Sequence, residues 1–298
     1  MNDNHDTGTD YIEKPVSGAA ATGNPGPGVE TLLTIAGSDP GGGAGIQADL
    51  RVFGHYGFYG LSVLTAVTAQ NTQAVDAVYP LKAEQVAAQL QSVLADFRPV
   101  AVKTGMLAEP EIVEMVAAAI SEGRTGTLVV DPVLASSAGP SLSSRPGRLA
   151  ARLAAVLLPA CYVVTPNLAE AAALTGRPVE TLKDARTAAR LLVEEMGAGA
   201  ACVTGGHLSG EPTDVVYDGV ELETVPGKRI AGGPFHGTGC LFSAALAANL
   251  ARGYTLMLAV TGAKDLTETA ISQAAGPGGG MRIPWLAPGQ LEPGGPRH

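Results

Sequence analysis

Cysteine is scarce in this chain: three residues, Cys161, Cys202 and Cys240, among 298. The number is odd and no two are spaced as a pair, which excludes a disulfide scaffold or a zinc site and points to a reducing compartment, the cytoplasm. Aromatic residues make up only 4%, so Ala, Val and Leu must fill the core, as suits helices packed closely on a sheet. Positive charge is short as well. Nineteen Lys and Arg stand against 28 Asp and Glu, a net charge of −9, and no basic cluster exists to meet a nucleic-acid backbone. If so acidic a chain handles phosphates, it must use backbone N–H groups, a few placed cations and a metal ion. Residues 1–10 are polar and acidic with no apolar segment, so neither a signal peptide nor a membrane span is read there. No repeat recurs at a fixed period.

What the chain does have is apolar material, 46%, arranged in alternating runs. Residues 1–29 and 286–298 lack periodicity and are expected to be loose tails. Between them, β-branched runs at 31–36, 61–67, 100–104, 127–130, 162–165 and 200–203 predict strands. Helical periodicity falls at 44–56, 83–97, 109–122, 146–157, 168–175 and 183–196. Repeated βα units imply one doubly wound, mostly parallel α/β domain over 30–285. A late hairpin at 214–217 and 220–225, turning at Asp218-Gly219, and two helices at 239–251 and 256–275 complete it.

The stretch Pro234-Phe235-His236-Gly237-Thr238-Gly239-Cys240, followed at once by an Ala-rich apolar run, reads as a tight loop opening onto a helix N-terminus. Unpartnered N–H groups at Gly237, Thr238, Gly239 and Cys240 would converge there with the helix dipole, a fitting place for a phosphoryl group in transfer. The same pattern also fits an ordinary Gly-rich turn before a buried helix. At such an N-terminus the thiol of Cys240 should be lowered in pKa and able to take a proton, the alternative being a small buried cysteine that packs behind the loop.

Other candidates sit at carboxyl ends of predicted strands, where open α/β sheets bind ligands. The first strand runs into a glycine-rich loop that includes Gly37 and leads to Asp49; it is not a Walker loop, since Gly-Lys-Ser/Thr is missing. The loop reads as a ligand wall rather than a helix N-cap turn, and Asp49 is placed on the substrate side. Gln70 ends the second strand with an amide that donates and accepts at once, which matches the edge of an aminopyrimidine or similar heterocycle as well as it caps a strand. Met106 either pads a planar ring or fills core. Asp131, Asn167 and Glu170 offer oxygen ligands for Mg²⁺, while Asn167 and Glu170 also satisfy a helix capping box; both roles are compatible.

Taken in order, Ala36-Gly37-Ser38-Asp39-Pro40-Gly41-Gly42-Gly43-Ala44-Gly45, Thr68-Ala69-Gln70-Asn71-Thr72, Lys103-Thr104-Gly105-Met106, Asp131-Pro132-Val133, Thr165-Pro166-Asn167-Leu168-Ala169-Glu170, Gly205-Gly206-His207 and His236-Gly237-Thr238-Gly239-Cys240 resemble the hydroxymethylpyrimidine/phosphomethylpyrimidine kinases of thiamine biosynthesis, ribokinase-like proteins. The resemblance runs from Thr31 to about Trp285. It implies ATP- and Mg²⁺-dependent phosphorylation of 4-amino-5-hydroxymethyl-2-methylpyrimidine and then of its monophosphate, by a homodimer. Gln70 would read the pyrimidine edge, and Gly37, Met106 and Val133 would line the pocket. Thr204, Gly206 and Asn167 would meet ATP, and Cys240 would stand where ribokinases carry an aspartate base.

Departures from the family pattern are specific. Ser137 and Thr204 stand where family members commonly carry Lys, Phe235 replaces a small polar residue, and 276–280 is only loosely family-like. The missing lysines leave two rival readings beside the first. One is a pyridoxal-type vitamin kinase; the other is a catalytically weak homologue that binds the pyrimidine as a sensor.

Overall fold

The computed structural model describes residues 28–135 and 142–287. Ser137 and most of both expected tails therefore lie outside the described residues. The first element is β1 (Thr31–Ser38), six of whose eight residues are buried in succession, as a strand covered on both faces must be. It is followed by α1 (Gly45–His55), β2 (Tyr59–Gln70), β3 (Val75–Pro80), α2 (Ala83–Asp96), β4 (Ala101–Thr104), α3 (Pro110–Ser121) and β5 (Thr127–Val130). After the undescribed segment come α4 (Pro146–Arg152), β6 (Val163–Val164), α5 (Leu168–Thr175), α6 (Leu182–Glu194), β7 (Ala201–Val203), β8 (Asp214–Tyr217), β9 (Leu222–Val225), α7 (Thr238–Ala251) and α8 (Leu256–Ser272).

One nine-stranded sheet runs in the order β3-β2-β1-β4-β5-β6-β7-β8-β9. β1 pairs in parallel with both β2 and β4, and the parallel run continues through β5, β6 and β7. The three antiparallel pairings lie towards the edges, β2 with β3, β7 with β8 and β8 with β9. Strand order reverses at β1, and ligands in doubly wound sheets lodge where loops part at such a switch point.

Side chains alternate faces along each strand. Leu33 and Ile35 face the core under α2 to α6, while Leu32 faces the core under α1, α7 and α8. The second core is built largely from alanine. In α7 every residue from Leu241 to Asn249 is buried, because the helix lies between β4 and β5 on one side and α1 and α8 on the other. Small side chains allow that close approach, and Asn249 ties the pair by donating Nδ2–H to Ala259 O at 3.1 Å. A helix apolar on all sides is a core helix, which fixes its N-terminus firmly beneath the cleft.

The expected strands and helices are present with shifted ends, and three features differ. β3 had no counterpart in the sequence reading. Its residues are mostly exposed or half-buried, so no apolar alternation marks it; the signal was Asn71, whose Oδ1 accepts N–H groups from Gln73 at 2.8 Å and Ala74 at 3.1 Å and reverses the chain. The helix expected at 146–157 stops being α-helical at Arg152, widens into a π turn over Leu153–Leu157 and ends in a 3₁₀ turn at Leu158–Ala160; Pro159 supplies no N–H for a continuing α-helix. The hairpin turn is longer than two residues, since Asp218 Oδ1 accepts from both Val220 and Glu221 N–H and β9 starts at Leu222. Among the described residues no helix is long and apolar enough to cross a membrane.

Candidate active site

Loops after β1, β2, β4, β5, β6 and β7 and the start of α7 enclose a cleft of about 1510 Å³. Gly37, Gln70, Met106, Val133, Asp131, Asn167, Glu170, Thr204, Gly206, Gly237, Thr238, Gly239 and Cys240 all line it. Asp49 does not. It projects from α1 to the back of the wall and is fully buried.

The floor of the cleft is the start of α7. Gly237 takes the left-handed conformation at φ 84° as the N-cap, and Leu241 N–H is the first to return into the helix, to Gly237 O at 3.0 Å. That leaves the N–H groups of Thr238, Gly239 and Cys240 without intrahelical partners and directed at the cleft. The two glycines serve differently. A Cβ at Gly237 would meet Gly43 O at 1.9 Å, whereas one at Gly239 meets nothing within 4 Å and would enter open space. Gly237→Val is therefore expected to break the loop itself, with a fall in melting temperature. Gly239→Val should instead leave melting nearly unchanged while lowering turnover by on the order of 10² to 10³ by crowding the anion site. Wild-type turnover in Gly239→Val would show that phosphoryl charge does not develop at this loop.

Towards β1 and β2 the wall is shaped for a flat ring. A Cβ on Gly37 would approach Met106 Cε to 2.2 Å, so glycine is required for the thioether to lie where it does. Gln70 extends from the end of β2 to within 2.9 Å of His236, which is buried and 2.8 Å from Asp39. Asp39 also accepts N–H groups from Gly41, Gly43 and Ala44. Burial pulls its carboxyl upward, but the His236 bond and these amides outweigh it and hold it below the usual range.

Behind Cys240 lies a buried charge cluster. Lys103 Nζ stands 3.0 Å from both oxygens of Asp49 and 3.7 Å from Asp131. Thr34 donates its hydroxyl to Asp49 at 2.6 Å, and Ser243 donates to Asp131 at 2.9 Å. Burial alone would strip Lys103 of its proton, yet Asp49, Cys240 and Asp131 together push its pKa upward. Burial also raises both carboxyls, against the pull of the ammonium. The symmetric contact of Nζ with both Asp49 oxygens and the Thr34 donor mark Lys103 and Asp49 as an ionised pair. Asp49 thus buttresses the site from behind, a correction to its expected substrate contact: the face of α1 it occupies turns to the sheet.

Cys240 carries the second correction. Its thiol is not lowered by the helix terminus; burial pushes it up to about 12, Lys103 pulls it down, and Asp131 and Asp49 add to the rise. Desolvation of the anion outweighs the dipole here.

On the opposite side, Asn167 caps α5. It accepts Glu170 N–H at 3.0 Å while its own N–H donates to Glu170 Oε2 at 2.9 Å. Glu170 is nevertheless raised to about 8, first by burial and then by Asp131. Asp131 thus adds to the rise of Glu170, and two such carboxyls on one cleft fit a shared cation. No group of three or more His, Cys, Asp or Glu gathers as a metal cage among the described residues. Thr204 and Gly206 follow β7, where Asp214 accepts Gly205 N–H at 2.8 Å and is paired with Lys264 at 2.8 Å. Arg229 pins the neighbouring turn through the carbonyls of Gly206, Leu208 and Gly210.

A family model described as phosphomethylpyrimidine kinase matches residues 39–284. The chain belongs to that family. It is 49% identical over 248 residues to the hydroxymethylpyrimidine/phosphomethylpyrimidine kinase of Rhizobium meliloti, covering 81% of this chain and 90% of that one. Among solved structures, the phosphomethylpyrimidine kinase of Clostridium difficile superposes with a TM-score of 0.71 at 36% identity, over 81% of this chain and 99% of that one. Pyridoxal kinase of Staphylococcus aureus in complex with AMP-PCP and pyridoxal superposes with a TM-score of 0.78 at 32% identity, over 86% and 93%. The fold is accordingly ribokinase-like.

For a member of the phosphomethylpyrimidine kinase family, the site holds more cations than the sequence reading assigned. Lys103, Lys228, Arg229 and Lys264 all line the cleft. Lys103 stood in a quoted motif and Lys264 within a predicted helix, but neither showed its partner. His236 and Asp39 were likewise present in motifs without an assigned role; their contact spans residues far apart in the chain and leaves no local signal.

Proposed function

We propose that the chain transfers the γ-phosphoryl group of ATP to the hydroxymethyl oxygen of 4-amino-5-hydroxymethyl-2-methylpyrimidine, and then phosphorylates the resulting monophosphate, in thiamine biosynthesis. The observation that carries this reading is one cleft with a ring-shaped wall at Gly37, Gln70, Met106 and Val133 facing an anion floor at the α7 terminus. The names of the relatives support the same substrate. Gln70 pairs with the ring edge, and the N–H groups of Thr238, Gly239 and Cys240 receive the charge that spreads over the phosphoryl oxygens as the bond to ADP loosens. Cys240, at the first turn of α7, takes the proton from the attacking hydroxyl. Thr204, Gly206 and Asn167 meet the nucleotide on the β6 and β7 side.

Asp131 and Glu170 would hold Mg²⁺ or its water shell, and that ion would supply charge neutralisation between the phosphates. Glu170→Gln keeps an oxygen for the cap but removes a charge. The expected result is a higher Mg²⁺ concentration for half-maximal activity with little change in thermal stability. An unchanged Mg²⁺ titration with lowered stability would reduce Glu170 to a capping residue.

Pyridoxal as acceptor is the second reading, favoured by the superposition on a pyridoxal-bound kinase. An ADP-release assay over hydroxymethylpyrimidine, its monophosphate and pyridoxal separates the readings. Turnover on the pyrimidines is expected to exceed that on pyridoxal; the reverse order makes the chain a pyridoxal kinase, and no turnover on any of them makes it a binding homologue. We further assign the chain to the cytoplasm, in keeping with three free cysteines. We assign it a homodimer as well, in keeping with exposed Tyr59, Val67 and Tyr79 on the β2–β3 edge. Light scattering at micromolar concentration should give twice the chain mass.

A further inference from the structure

The contact of Gln70 with His236 holds information about which half of the amide meets a ligand. His236 Nε2 lies 2.8 Å from Asp39 Oδ2 and 2.9 Å from the Gln70 amide nitrogen. Asp39 is a carboxylate that already accepts three backbone N–H groups, and a carboxylate oxygen offers no proton. Hydrogen bonding at 2.8 Å therefore requires the proton on His236 Nε2. The other ring nitrogen leads to the same assignment: Nδ1 is buried with no hydrogen-bond partner. A proton on Nδ1 would be an unpaired donor and would leave the bare Nε2 lone pair facing the Asp39 carboxylate, so the Nε2–H tautomer is the favoured neutral one. An N–H on Nε2 cannot face the NH₂ of Gln70. A half-turn about Cγ–Cδ exchanges the amide oxygen and nitrogen with almost no change of shape, and it converts a donor–donor contact into the second arm of a three-centre hydrogen bond in which the Nε2 proton is shared by Asp39 and Gln70.

We propose that His236, held by Asp39, is a positioning residue that fixes the polarity of the Gln70 amide: oxygen to the imidazole, NH₂ to the cleft, so that the site selects a heterocycle presenting an unprotonated ring nitrogen. His236 is well placed to hold this setting. It is buried, it packs against Gly43, where a Cβ would come within 2.4 Å of its ring, and its own backbone N–H is fixed to Arg282 O at 2.9 Å. The selection acts on tautomer. In 4-amino-5-hydroxymethyl-2-methylpyrimidine, N3 is an acceptor and pairs with the amide NH₂. In the 4-oxo analogue N3 carries a hydrogen, and two donors meet.

The selectivity half of this inference rests on Gln70 facing the substrate ring, as proposed above, whereas the tautomer does not. Two measurements on the full chain keep them apart. Long-range ¹H–¹⁵N correlation spectra of the ¹⁵N-histidine-labelled protein without ligand should show His236 as the Nε2–H tautomer; an Nδ1–H tautomer overturns the proposal whatever the activity. The ratio of kcat/KM for the 4-amino over the 4-oxo pyrimidine should be about 10- to 100-fold in the wild type, the cost of one unpaired donor. His236→Leu should bring that ratio to within about threefold with KM for ATP unchanged, and Gln70→Glu, which tests the same donor from a strand end should the first variant fail to fold, should invert it. A wild type without preference, a His236→Leu ratio equal to wild type, or a Gln70→Glu ratio unchanged in direction each overturns the proposal. No turnover of either pyrimidine, with the Nε2–H tautomer observed, overturns the pyrimidine-kinase reading and supports the amide setting.

Discussion

Cys240→Ala is expected to lower kcat on the preferred pyrimidine by about 10² to 10⁴, the usual contribution of a general base, with KM for ATP little changed. The thiol stands half-buried in the first turn of α7, on the cleft and beside the N–H groups that receive the transferred charge. Burial pushes it up to about 12, so the resting residue is a thiol and only a small fraction is the competent thiolate at neutral pH. That fraction grows about tenfold with each pH unit below the pKa, so log kcat should climb with pH through the neutral range in the wild type. The same climb should be absent in Cys240→Ala. Cys240→Asp, ionised throughout that range, should recover part of the rate and flatten the profile. Iodoacetamide should still modify Cys240 before Cys161 or Cys202, because both of those are buried, and bound pyrimidine should protect it. A Cys240→Ala enzyme with wild-type kcat and an unchanged pH profile would leave the α7 N–H groups as the whole of the machinery at this point.

The difference between the expected and observed Cys240 shows where sequence reasoning stops. The loop, its helix and the cleft they face were legible because glycines at a turn, an apolar Ala-rich run and β-branched strands are local signals. The capping box of Asn167 and Glu170 was legible for the same reason, since its members lie three residues apart. The pKa of a thiol depends on what packs around it: here burial raises it most, Lys103 lowers it, and Asp131 and Asp49 raise it further, all from distant parts of the chain. Asp49 was misplaced by a related gap: its position in the chain locates it on α1 beside the substrate loop, but only packing decides that it turns inward to a lysine 54 residues away. β3 failed for want of burial. An edge strand with exposed Tyr79 carries no alternating pattern to read.

Lys103→Met is expected to cost about 3 to 5 kcal/mol in urea unfolding, the loss seen when one partner of a buried ion pair is removed. Lys103 and both its carboxylate partners are almost without solvent contact, so nothing replaces the lost cation, and Asp49 and Asp131 are left facing one another's charge. The pH dependence has a definite sign. Both carboxyls already lie above their ordinary value in the folded chain, and without the ammonium they rise further. A carboxyl raised in the folded state contributes stability that is present at low pH and lost as pH rises through its folded pKa. The deficit of Lys103→Met relative to wild type should therefore be largest near pH 8 and shrink towards pH 5. Lys103→Met/Asp49→Asn should recover much of the loss at pH 8, because a neutral amide keeps an acceptor for Thr34 and removes one unpaired charge. Non-additivity of that kind separates an electrostatic cluster from simple loss of packing. A single variant less than about 1 kcal/mol below wild type, or a double variant no better than the single, would mean that Lys103 fills space behind Cys240 rather than holding the charge on which the site depends.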